Sequence, residues 1–185
     1  LYWLSIIIGL LAGMLIGLLI DVGIFRRGRS VNMIGKQIIT MGMVTLIVGI
    51  IPIIFGTNTL GQIPQFVKGN LTFDIMGAEV SMPYHGLVCF GIAAAVISLL
   101  FILLYKSKWG LGVRATASNE NTAGIIGINT HIITATSWAI AGGLAALAAI
   151  MLNANGTPIG ALFMTKTQVN SFFAGILGGF SSFVG

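Results

Sequence analysis

An all-α, polytopic bundle of about five transmembrane helices is the fold class this sequence predicts, on three observations. Charged residues make up 7% of the 185 positions, against about 25% in ordinary soluble domains. Hydrophobic residues make up 56%, and glycine adds 26 positions. Such a composition would give a soluble domain large apolar patches, but it suits lipid and close helix contacts. The apolar residues also fall in continuous runs near the about 20 residues that cross a bilayer core. They lack the alternation of a membrane strand. We read 1–185 as a single transmembrane domain cut at both ends, since Leu1 and Gly185 both lie in hydrophobic stretches.

The expected spans are 1–20, 38–55, 87–104, 132–152 and 169–185. Arg26, Arg27, Arg29 and Lys36 separate the first two, and Lys106, Lys108 and Arg114 separate the third and fourth. The other connections hold Lys68 and Lys166. Strict alternation therefore puts seven of nine basic residues on one face, which the positive-inside bias makes cytoplasmic. The first span then runs inward and ends near Asp21. On the outer side, Thr72 to Met82 reads as a small hairpin with Gly77-Ala78 at a type II′ turn. Gly9, Gly13 and Gly17 recur every four residues, a spacing that lets another helix approach. Ala139, Gly142, Gly143 and Ala146 form a similar strip in the fourth span. We read both strips as helix packing. Pro52 predicts a kink near the outer end of the second span.

Several chemistries find no support. Cys89 stands alone, so no internal disulfide and no cysteine metal site is expected. No phosphate-binding loop, HExxH motif or paired carboxylate occurs, and we expect no catalytic residue, cofactor or metal. His85 and His131 read as interfacial histidines at span boundaries. The net charge of +5 follows the membrane loops and lacks the aromatic interleaving of a nucleic-acid surface. The span centres contain no ionisable residue, which argues against a proton-coupled pump. Thr134, Thr136 and Ser137 fit bonding to their own preceding turn as well as any solute contact. The solute-binding residues carry no signature.

The connection from Lys106 to His131 is the informative one. Ser118 is suited to cap a short helix beginning at Asn119, with Glu120 in its positive first turn. Gly127 is suited to end that helix in a left-handed conformation, with Ile128 packing back. Glu120 and Asn121 would be exposed, and Ala123 and Ile126 buried. So short a helix needs a supporting surface. That surface is either the protein's own inner face or a docked partner.

Gly110 to Arg114-Ala115, Asn119-Glu120, Ala123 and Gly127-Ile128-Asn129 resemble the coupling loop of permeases of branched-chain amino acid ABC importers. The Ala/Gly-rich stretch from Ala139 to Ala149, the segment from Phe173 to Gly185 and the basic loop from Arg26 to Gly42 extend the resemblance in the family's order. Related loops occur in sugar, nucleoside and urea permeases, but the ending favours the amino-acid branch. The resemblance implies a multi-pass permease of a bacterial or archaeal cytoplasmic membrane, without catalytic residues. Its implied partners, besides membrane lipid, are a second permease subunit, two cytosolic ABC ATPases and an extracytoplasmic solute-binding protein. It also implies that Asn119 to Ile126 docks on an ATPase, although Asn121-Thr122 replace the Ala-Ala pair of the fuller coupling motif. The rival readings are a permease for another solute, an ion-coupled secondary transporter and a structural membrane subunit.

Overall fold

The computed structural model describes residues 2–27, 33–56, 58, 61, 64–65, 67–75, 78–154, 156, 158–160 and 162–178. Helix α1 spans Tyr2–Ile20 and continues as a π-helical segment, Asp21–Phe25. Then follow α2 (Met33–Phe55), strands β1 (Asn70–Ile75) and β2 (Ala78–Pro83), and α3 (Tyr84–Lys106). A short α4 (Lys108–Ser118) and α5 (Glu120–Ile125) lead into α6 (Thr130–Ala154), and α7 spans Thr165–Leu177. Among the described residues, four helices are long and apolar enough to cross a membrane: α1 with its π-helical extension, α2 from Ile38, α3 and α6. The fold is therefore an all-α polytopic bundle.

The helices exceed the apolar runs because helical geometry continues into polar flanks. α2 begins five residues before Ile38 and carries Lys36 in its first turns. It passes through Pro52 without ending. α7 begins at Thr165, ahead of the apolar run, and the stretch 179–185 lies outside the described residues. Arg29 also lies outside them.

The centre of the bundle is an antiparallel contact between α1 and α6. A Cβ on Gly17 would come 2.2 Å from the Trp138 carbonyl oxygen, and one on Gly142 would come 2.2 Å from that of Gly13. A Cβ on Gly13 would stand 2.6 Å from the Ala146 Cβ, and one on Gly143 2.9 Å from Met14 Cγ. Gly9 faces Ile150, and Ala139 is buried against Gly17. The two backbones touch, so packing and dispersion act without intervening side chains.

β1 and β2 form an antiparallel hairpin in which Ile75 pairs with Ala78. That register places the connection at 76–77, one residue before the expected Gly77-Ala78 turn; positions 76 and 77 lie outside the described residues. His85 lies at the expected span boundary, the second residue of α3. It is fully buried at the start of α3, with Nε2 3.3 Å from Cys89 Sγ. His131 is exposed.

Candidate functional site: the α4–α5 face and its cavity

α4 was not expected from the sequence. Ser107 caps it, accepting a hydrogen bond from the Gly110 amide at 2.9 Å. The glycines that disfavour a helix here are required by its packing. A Cβ on Gly110 would strike the Leu104 carbonyl oxygen at 2.2 Å, and one on Gly112 would meet Ile133 Cδ1 at 2.8 Å. α4 thus folds tightly back between α3 and α6. Trp109 Nε1 donates to Thr136 Oγ1 at 2.8 Å, fixing α4 to α6. The Arg114 guanidinium lies 5.2 Å from the centre of the Tyr105 ring, a cation–π contact to α3. Of the coupling residues named from the sequence, Gly110 and Arg114 therefore hold the elbow and do not form its outer face. Ala115 accepts the Asn119 amide through its carbonyl oxygen at 3.1 Å.

The cap of α5 lies one residue later than expected. Ser118 belongs to α4, and Asn119 accepts from the Thr122 amide at 3.0 Å through its side chain. Gly127 has φ of 89°, and its amide donates to the Gly124 carbonyl at 3.1 Å. The Ile128 amide donates to the Ala123 carbonyl at 3.0 Å. These two bonds make a Schellman ending, for which glycine is favoured because a Cβ is strained at positive φ. Asn129 then caps α6, accepting from the Ile132 amide at 3.3 Å. Ala123 is buried at 2% exposure. Ile126 departs from expectation: it is 68% exposed, beside Ile125 at 85%. The helix presents a pair of isoleucines to its surroundings, next to the exposed Asn121 and Gly124.

Lys36 Nζ lies 3.5 Å from Glu120 Oε2. This pair joins the start of α2 to α5, so the two basic connections share one face. Beneath it is a cavity of about 240 Å³ lined by Asp21, Phe25, Arg26, Lys36, Glu120, Thr134 and Trp138. Phe25 stacks on Trp138 with ring centres 4.8 Å apart. Asp21, expected near a membrane surface, is only 3% exposed. Thr134, Thr136 and Ser137 each donate to a carbonyl in the preceding turn of α6, at 3.2, 2.8 and 2.8 Å.

With this geometry in hand, comparison with known proteins decides the family. The family profile described as "Branched-chain amino acid transport system / permease component" matches residues 1–185. The chain belongs to this family. Within the branched-chain amino acid permease family, it is 27% identical over 160 residues to the probable branched-chain amino acid transport permease protein LivH of Methanocaldococcus jannaschii. That match covers 81% of this chain and 48% of the relative. It is 28% identical over 124 residues to the high-affinity branched-chain amino acid transport system permease protein BraD of Pseudomonas aeruginosa, covering 66% of this chain and 40% of that protein. The chain spans about half the length of these curated relatives or less. No solved structure matches. Family and helices together make this a multi-pass protein of the cytoplasmic membrane. The family is one of transport permeases, not of enzymes.

Proposed function

We propose that the chain is part of the membrane-spanning permease subunit of an ATP-driven importer for branched-chain amino acids. α5 would be the element that docks on a separate cytosolic ATPase. Besides the family match, the observation that carries this reading is the exposed Ile125–Ile126 pair on a helix capped at both ends. A six-residue helix is not stable by propensity alone. Here Asn119, the Schellman ending and the burial of Ala123 hold it rigid while its apolar tip stays uncovered. A rigid apolar tip on a basic face suits insertion into a groove of a partner.

In this reading the basic face is cytoplasmic, and α6 carries motion of α5 into the bundle, since Ile128 and Asn129 join the two. The β1–β2 hairpin on the opposite side is the dock for an extracytoplasmic binding protein. The described side chains at Asn70, Thr72, Asp74, Ser81 and Met82 are exposed there. A second permease subunit would complete the translocation path.

The test is uptake of labelled leucine into liposomes by the full-length protein assembled with its ATPase and binding protein. Uptake that requires ATP and is competed by isoleucine and valine is the expected result. ATP-driven uptake of a sugar, nucleoside or urea in place of leucine would move the assignment to another solute. Uptake driven by an ion gradient without ATP would overturn it.

A further inference from the structure

We propose that the cavity between the end of α1, the start of α2 and α5 is a binding site for a free amino-acid zwitterion. Asp21 would take the ammonium group and Arg26 the carboxylate. The choice of an amino acid as ligand rests on the proposed function, but the site rests on its own geometry.

The decisive group is Asp21. Its side chain is buried, it lines the cavity, and its Oδ2 has no hydrogen-bond partner. A buried carboxylate oxygen left without a donor is costly. Lys36 shares the cavity, but it is engaged with Glu120 at 3.5 Å. Asp21 therefore has an unmet demand for a hydrogen-bond donor, which a ligand ammonium group would fill. The helix is also irregular at this point, since Asp21 opens the π-helical segment, a distortion that often accompanies functional residues.

The rest of the cavity narrows the ligand. Among the described residues, its ionisable side chains are Asp21, Arg26, Lys36 and Glu120, two of each sign. A ligand that carries one charge of each sign matches both Asp21 and Arg26, whereas a lone cation or anion would leave one of the two unmatched. The stacked rings of Phe25 and Trp138 supply an apolar wall suited to an aliphatic side chain. The volume of about 240 Å³ is below the roughly 300 Å³ at which sites for drug-sized ligands begin, which fits a metabolite as small as an amino acid. The cavity opens on the same face as α5. In an importer that is the release side, so the site would fill as solute accumulates there.

The experiment is equilibrium binding of labelled L-leucine to the full-length permease–ATPase complex, purified without binding protein and held in lipid nanodiscs. Isopentylamine and isovalerate compete as the two half-ligands. Leucine should bind, and Asp21→Asn should weaken it about tenfold or more, the scale of one charge-assisted hydrogen bond. Arg26→Gln, at an exposed position that does not threaten folding, should weaken it several-fold, by about threefold to tenfold. Each half-ligand should compete about tenfold less well than leucine. Three results would overturn the proposal: no leucine binding, binding unchanged by both substitutions, or isopentylamine competing as well as leucine, which would mean a cation site only. ATP-driven uptake measured on the same preparation with binding protein added separates the two readings. Uptake without this binding rejects the site and leaves the permease function standing. Binding lost in Asp21→Asn, with no uptake, supports the site and rejects the function.

Discussion

The first two spans are equal in hydropathy and each carries spaced glycines, yet the fold treats them differently. In α1, Gly13 and Gly17 lie against the backbone of α6, so close that a single added carbon would collide with Trp138, Gly142 or Ala146. In α2, Gly42 and Gly49 face open space, and none of the described side chains is buried. The difference lies in the facing surface. Gly13 and Gly17 meet a second strip of small residues, Ala139, Gly142, Gly143 and Ala146, whereas Gly42 and Gly49 meet none. Glycine spacing within one helix therefore permits close packing but does not cause it; two complementary strips are needed. α2 is tied at its start by charge, through Lys36 and Glu120, and its described length stays open to the surroundings.

That contrast can be broken most directly with leucine substitutions. Gly17→Leu should cost about 3 kcal/mol or more through overpacking, read as loss of folded protein in a denaturant titration in detergent. Gly49→Leu in the same assay should stay within about 1 kcal/mol of the parent. Equal losses in the two variants would mean that the α1–α6 contact is not the centre of the bundle. A smaller effect is expected at the elbow. Trp109→Phe removes the hydrogen bond to Thr136 and should cost about 1 kcal/mol, with α4 protected less against hydrogen exchange than α1. The smallest effect belongs to the charge that ties α2 to α5. Glu120→Gln should cost about 0.2–1 kcal/mol, because both partners are about one-third exposed. The loss should shrink in high salt. A salt-independent loss would show that Glu120 acts through another contact.

What was legible in the sequence follows the same physics. Long apolar runs must be helices in a bilayer, so α1, α2, α3 and α6 could be located from composition and length, with ends a few residues short. The strips on α1 and α6 were visible because glycine and alanine recur at helical spacing. Gly127 was visible as a helix ending because glycine followed by isoleucine suits a left-handed turn. The cap of α5 was misplaced by one residue because Ser118 and Asn119 are adjacent and both are good capping residues; only the packing of α4 assigns Ser118 to the preceding helix. α4 itself was hidden by Gly110 and Gly112, which weaken a helix by about 1 kcal/mol each when nothing packs on them. Their reason, close approach to Leu104 and Ile133, is tertiary. The π-helical turn, the burial of Asp21 and the exposure of Ile126 had no local signal, because each depends on what the rest of the chain places beside it.

We propose that α5 transmits ATPase motion to the bundle, and one ratio tests this: leucine molecules imported per ATP hydrolysed. It is measured in liposomes for the full-length assembly and for Gly127→Val. A β-branched residue at φ of 89° is strained by about 1 kcal/mol or more and misdirects Ile128. The variant should insert in the membrane and fold, while the ratio falls several-fold, by about threefold to tenfold, or the ATPase detaches. Ala123→Arg, which forces a charge into the buried face of α5, should give the same result. If both variants keep the ATPase bound and import leucine at the parental ratio, α5 is not the coupling element.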